Sequence, residues 1–170
     1  MGLQIRPAET GDLEALCTLS DPPRGVDWVR SALLHAQAPT KPAVWLVACV
    51  DGERVGQARL GWFPGRVDPS WPATCLDAGW YLLGVYVRPD LRRQGIGRAL
   101  TEARIEHARA QGAPWVRYWR TETNLASAAT HRSWNFRRLD RPWWFPGRLD
   151  LDQPAVLLEV HFAEAGRARE

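Results

Sequence analysis

Short apolar runs alternate with amphipathic stretches along this chain. Residues 3–6 read as a strand, closed by Pro7. Thr10 is placed to cap a helix through Asp12, Leu13, Leu16 and Leu19, and Asp12 suits the positive end of its dipole. Asp21-Pro22-Pro23-Arg24-Gly25 breaks it. Residues 26–37 predict a second helix with Val29, Leu33 and Leu34 toward the core. Residues 43–50 predict a strand, Asp51-Gly52 a hairpin turn, and 54–63 its antiparallel partner, with Val55, Gln57 and Arg59 alternating against Ala58 and Leu60. A loop rich in Pro, Gly and Trp covers 64–77. Residues 79–87 are apolar at successive positions, as in a strand covered on both faces, and Gly84 marks a bulge or a close backbone approach. A stripe of Ile96, Ala99, Leu100, Ala103 and His107 predicts a helix ending at Gln111-Gly112, with Gly112 as terminator. Residues 115–121 follow as a strand. Asn124 is placed to cap a helix through Leu125, Ala128 and Ala129 that stops at Asn135. Residues 136–139 and 155–162 predict the last strands, joined by a loop with Trp143, Trp144, Phe145, Pro146 and Gly147. The polar tail after Ala163 is expected to fray. The order β-α-α-β-β-β-α-β-α-β-β predicts one α/β (α+β) domain over 1–170, a mixed sheet with helices on both faces.

Composition narrows the classes. The length suits one core-bearing domain. No apolar run spans a bilayer, and the first residues lack the apolar segment of a signal peptide. Cys17, Cys49 and Cys75 are odd in number and scattered, which reads as reduced thiols in a cytoplasmic protein. A net charge of +3 is too small to argue for nucleic acid. The positive charges are arginines with one exception, Lys41, and they concentrate between Arg88 and Arg98.

That concentration coincides with the most informative stretch, residues 82–100. An apolar strand ends before Pro89. A basic loop follows with Gly95 and Gly97, which bring backbone close to a ligand, and a helix starts near Ile96. The first N–H groups of that helix lack internal partners and sit at its positive end, so strand, loop and helix together predict a site for a phosphate-bearing ligand. A dinucleotide fingerprint needs a third glycine, and Gly97 is followed by Arg98-Ala99-Leu100. A P-loop needs Gly-Lys-Ser/Thr, which is missing. His35, His107, His131 and His161 lack ligand spacing, so no metal is expected.

Arg92, Gly95 and Gly97 after this strand resemble the acyl-CoA-binding motif of the GNAT-family N-acetyltransferases. A second stretch resembles the same family in its register of Asn124, Ser127, His131, Asn135 and Phe136. The resemblance implies a mostly antiparallel central sheet flanked by helices, with acetyl-CoA at a splayed parallel strand pair. It further implies transfer of the acetyl group to a primary amine by direct attack in a ternary complex. The Val85 N–H is then expected to face the thioester carbonyl, while Tyr86 and Val87 run along the pantetheine arm. The loop Arg92, Arg93, Gln94, Gly95, Ile96, Gly97 and Arg98 holds the pyrophosphate. Asn124 and Ser127 line the cofactor's sulfur end, although Asn124 also reads as a simple helix cap. The family often has Tyr where this chain has His131. Imidazole donates a proton more readily than phenol near neutral pH, which makes His131 the candidate general acid; the alternative is a surface histidine without a role. Asp77 and Glu122 are the nearest carboxylates in sequence to serve as base, and attack by free amine needs neither. Trp71, Trp80 and Trp143 are candidate acceptor-site walls, with core packing or a dimer contact as the alternative. The family often dimerises, which extends the expectation of a homodimer here. A non-catalytic acyl-CoA sensor on the same fold is the rival reading. Acceptor aside, neither nucleic acid nor membrane is expected as a partner.

Overall fold

A computed structural model describes residues 2–20, 22–38, 42–146 and 154–162. The expected position of Gly147 in the aromatic loop and the frayed tail after Ala163 fall outside these residues. The elements follow the expected order: β1 Leu3–Pro7, α1 Leu13–Thr18, α2 Val26–Gln37, β2 Ala43–Val50, β3 Glu53–Phe63, β4 Gly79–Val87, α3 Ile96–Ala110, β5 Trp115–Thr121, α4 Leu125–His131, β6 Arg137–Arg138 and β7 Ala155–His161. The seven strands are hydrogen-bonded in the order β1-β2-β3-β4-β5-β7-β6. The pairs β1–β2, β2–β3, β5–β7 and β6–β7 are antiparallel, and β4–β5 is parallel. Among the described residues, no helix is long and apolar enough to cross a membrane. The chain divides into two compact units, Met1–Trp62 with Leu82–Glu106, and Phe63–Tyr81 with His107–Glu170.

In the first unit, α1 and α2 bury Leu16, Val29 and Leu33 against Trp45, Val47 and Cys49 of β2. Leu34, expected to face the core, is 59% exposed. Val29 and Leu33 are four residues apart and share a face, whereas the next residue rotates off it by about 100°. The expected cap Thr10 instead opens a 3₁₀ turn, Thr10–Asp12. The side chain of Asp12 reaches back to accept the Glu9 N–H at 2.9 Å and stays 1% exposed between Arg6 and Arg54, at 2.7 and 2.9 Å. Gln57, a strand residue of expected alternation, is buried because its Oε1 accepts the Trp45 indole N–H at 2.7 Å. The stripe of α3 differs from expectation by about one position. Ile96, Leu100, Thr101, Arg104 and Ile105 are buried, while Ala99 and Ala103 are half-buried.

The second unit rests on β5 and β7, which pair along seven residues from Trp115↔His161 to Thr121↔Ala155. The expected strand 136–139 shrinks to two residues, although the Leu139 N–H still donates to the Leu157 carbonyl at 2.9 Å. Helix α4 runs on as a 3₁₀ turn to Trp134, and Asn135 ends it in the left-handed conformation, φ 45° and ψ 38°, as its side chain tolerates.

Candidate active site

The first unit carries the strand–loop–helix segment. Strand β4 is buried at Leu82 and half-buried at Val85, Tyr86 and Val87, so its C-terminal half is accessible. Gly84 interrupts it at φ +51°. A Cβ there would meet nothing closer than Arg59 Nη2 at 3.8 Å, so the backbone conformation and not crowding requires glycine. The parallel ladder to β5 consists of two residue pairs, Trp80↔Val116 and Tyr81↔Arg117. Beyond Val87, Pro89–Leu91 forms a 3₁₀ turn. Arg92 folds back, its Nε donating to the Val87 carbonyl at 3.0 Å and its guanidinium lying 5.7 Å from the Tyr86 ring centroid. Arg93 and Gly95 then adopt left-handed conformations, φ +68° and +83°. Arg92, Arg93, Gln94 and Gly95 are exposed, and nothing lies within 4 Å of a Cβ built on Gly95. Left-handed residues in such a loop are the backbone conformation of anion-binding nests, and these two stand just before α3 begins. Ile96 is buried beneath the loop and Gly97 is half-buried.

Below this loop lies a residue that the sequence reading missed. Arg104 is 1% exposed on α3. Its guanidinium donates to the carbonyls of Leu100, Arg59 and Gly84 at 3.4, 3.2 and 3.4 Å and to the Thr101 hydroxyl at 2.9 Å. Burial pushes it down to about 9. An arginine four residues after Leu100 on an apolar stripe was the available signal.

The second unit carries the other segment. Asn124 is the N-cap of α4, its Oδ1 accepting the Ser127 N–H at 2.9 Å. His131 is 4% exposed and so is not a surface residue. Its Nδ1–H donates to the Ser127 carbonyl at 2.8 Å. Its ring stacks on Tyr118 at 4.0 Å and meets the edge of Phe136 at 5.5 Å. Successive residues of β5 alternate faces, so Trp115, Arg117 and Trp119 point away from Tyr118. Tyr81, Phe63, Phe145, Trp119 and Trp143 pack there with centroids 4.7–6.3 Å apart. Trp71 joins through Phe63 at 6.1 Å. Trp71 and Trp143 therefore belong to one half-buried cluster. Trp80 does not: it is buried on the opposite face of β4 from Tyr81, edge-on to His107 at 5.9 Å.

The two carboxylates differ from free bases. Asp77 accepts from Arg117 at 2.7 Å and from Arg141. Burial raises its carboxyl, but those guanidiniums outweigh burial and hold it below the usual range. Glu122 pairs with Arg138 at 2.9 Å. The Tyr81 hydroxyl, donating to the Asp77 carbonyl oxygen at 2.8 Å, is pushed up to about 12 by burial. Cys75 is 7% exposed and burial raises its thiol, the reverse of an activated nucleophile.

The profile of the acetyltransferase (GNAT) family matches residues 13–136. A mycothiol acetyltransferase of Nocardiopsis dassonvillei is 35% identical over 77 residues, which cover 45% of this chain and 23% of that protein, so the match spans about a quarter of the relative's length. Among solved structures, the ribosomal-protein-S18-alanine N-acetyltransferase of Escherichia coli aligns over 99% of both chains with a TM-score of 0.68 and 21% identity. A ribosomal-protein-alanine N-acetyltransferase of Brucella melitensis gives 0.70 and 24%, covering 94% of this chain and 99% of that one. The PaiA N-acetyltransferase of Thermoplasma acidophilum, solved with coenzyme A, gives 0.67 and 16% over 95% and 100%. These structural likenesses establish a shared fold.

Proposed function

This chain belongs to the GNAT family of acetyltransferases, and from that premise we propose that it moves an acetyl group from acetyl-CoA to a primary amine by direct attack in a ternary complex. The exposed loop with left-handed Arg93 and Gly95, opening onto α3, is the observation that carries this reading. Acetyl-CoA supplies the activated thioester. The loop amides from Arg93 to Arg98 hold its pyrophosphate, assisted by the guanidiniums of the loop. The backbone of Val85, Tyr86 and Val87 aligns the pantetheine arm. The Val85 N–H stabilises the oxyanion that forms when nitrogen attacks the carbonyl carbon, an effect of about 3 kcal/mol for one fixed donor. As the C–N bond forms and the C–S bond breaks, the amine gives up a proton and the thiolate takes one.

His131 supplies the proton to the thiolate. Its Nδ1–H is committed to the Ser127 carbonyl, so Nε2 is the nitrogen assigned to carry the transferred proton. Asn124 and Ser127 meet the cofactor's amides, and Trp71 and Trp143 form apolar walls for the acceptor. Asp77, held ionised by two arginines, is poorly suited as a base, which favours attack by the free-amine fraction and a rate that rises with pH. The three cysteines are free, in keeping with a reducing cytoplasmic setting. Thiol release from acetyl-CoA against a broad amine panel, alongside calorimetry with CoA, tests the proposal. Turnover with at least one amine supports it. CoA binding without turnover would instead make the chain a sensor, and absence of CoA binding would end both readings.

A further inference from the structure

Beside the accessible half of β4, the first unit holds cations that no described carboxylate neutralises. Arg59 projects from β3 with its guanidinium 5.1 Å from the Trp28 ring centroid and 5.4 Å from that of Trp45. Trp45 is fixed by its bond to Gln57, and Trp28 stands edge-on to it at 6.3 Å, 72° between planes. Arg24 stacks on the same Trp28 at 4.9 Å. Arg59 is half-buried, and both burial and the like charge of Arg24 pull its guanidinium below the usual range. Arg104 adds a third positive charge behind the Arg59 and Gly84 carbonyls. Among the described residues, Arg24, Arg59 and Arg104 form no ion pair. In the same unit Arg6, Arg54 and Arg88 each meet a carboxylate within 3.0 Å.

The position matters as much as the charge. Arg59 Nη2 lies 3.8 Å from the point where a Cβ of Gly84 would stand. Gly84 precedes Val85, the residue assigned above to the thioester carbonyl. An anion on Arg59 would therefore be held close to the reacting group. Trp28 is 43% exposed and Val26, at the start of the same helix, is 46% exposed, so an apolar wall adjoins the two guanidiniums. A half-buried arginine without an acid is unfavourable by itself and favourable once a carboxylate supplies the missing charge and a bidentate bond.

We propose that Arg59, with Arg24 and the Trp28 ring, is the acceptor-reading site, and that the acceptor is an amine carrying a carboxylate on a partly apolar body, such as an amino acid. This rests on the acetyltransferase reading and adds its substrate class. It also disfavours polycationic acceptors, which the same arginines repel.

The test pairs the free L-amino acids with their α-amides as acceptors, for the wild type, Arg59→Met and Arg24→Ala. The free acids should show kcat/KM about 10- to 100-fold above their amides, since that is the range for a hydrogen-bonded charge. Arg59→Met should erase the preference while leaving CoA affinity by calorimetry unchanged. Arg24→Ala, a change at an exposed residue, should reduce the preference partly and provides a folded second variant. A binding arm uses N-acetyl-L-phenylalanine against N-acetyl-L-phenylalaninamide on the CoA-saturated protein, with the same expected ratio and the same loss in Arg59→Met. Equal use of acids and amides, equal or absent binding of the two N-acetyl compounds, or a parallel loss of CoA affinity in Arg59→Met would overturn the proposal. Absence of CoA binding in the wild type is a separate result, and it strikes the acetyltransferase reading.

Discussion

His131 illustrates how much one side chain's surroundings decide. Its ring is stacked on Tyr118 and held at Nδ1 by a backbone carbonyl one helical turn earlier, with Nε2 buried. A ring held on both counts presents Nε2 in one direction, which a proton donor to a leaving thiolate requires. His131→Ala should lower kcat about 100-fold while the rise of the rate with pH from the free amine persists and CoA affinity is retained. A pH–rate profile beside calorimetry checks this, and an unchanged kcat at every pH removes the assigned role. Asn124 allows a cleaner separation of two roles. Serine caps helices about as well as asparagine, so Asn124→Ser should leave the urea midpoint unchanged while the shorter side chain loses the CoA amide. CoA affinity about tenfold weaker in that variant would fit both duties, and unchanged affinity would leave the cap alone.

At the scale of elements, the segment from β4 to α3 depends on backbone conformations more than on side chains. Gly95 has open space where a Cβ would go, yet its φ of +83° lies in the left-handed region. Gly95→Ala should therefore destabilise the fold by about 1–2 kcal/mol through conformation alone and weaken CoA binding as the loop relaxes. Denaturant titration and calorimetry read the two effects separately. This same segment was the most legible part of the chain, because proline, glycine pair, arginines and apolar run are local signals. The order and approximate bounds of every strand and helix were legible for the same reason. Leu34 and the phase of α3 were not, since an amphipathic pattern fixes a face only to within about one residue. Arg104 was hidden because charge is normally read as exposure. Arg59 was hidden because its meaning comes from Trp28 and Trp45, which are distant in sequence. Trp71 and Trp143 were legible as rings of one aromatic surface from the two loops that carry them, whereas Trp119, which joins Trp143 to Phe145, and the opposite-face position of Trp80 were not.

Over the whole molecule, each unit has a buried acid held by arginines. In the first, hydrogen bonds from Arg6 and then Arg54 hold Asp12 far below the usual carboxylate range despite burial. In the second, burial raises Glu159, but Arg117, Arg137 and His161 outweigh it and lower the carboxyl. Both folded values are depressed, so this stability is complete above the unfolded carboxylate range, about pH 4, and is lost as pH falls through the folded values. Urea midpoints should accordingly ease down below about pH 6.5, where burial holds His107 below its usual range and opposes its protonation, and fall steeply below about 4. Asp12→Asn, which leaves two guanidiniums facing a neutral amide, should lower stability at pH 7 by about 3 kcal/mol and make the acid slope shallower. A midpoint that drops equally in both proteins at every pH would contradict this. Ligand linkage acts on the same scale: CoA at about 100 times its dissociation constant should add about 2.7 kcal/mol, visible as a higher Tm.

The ring cluster of the second unit has an optical consequence. Trp71 lies 5.5 Å from Trp144, and Trp119 lies 5.7 Å from Trp143. Indoles that close share their excited states, so this unit should give a strong near-ultraviolet circular dichroism signal that vanishes with its packing. The first unit's Trp28, partly open to water, should emit at longer wavelength than the enclosed Trp45. Loss of that near-ultraviolet signal during unfolding can thus be followed without labels.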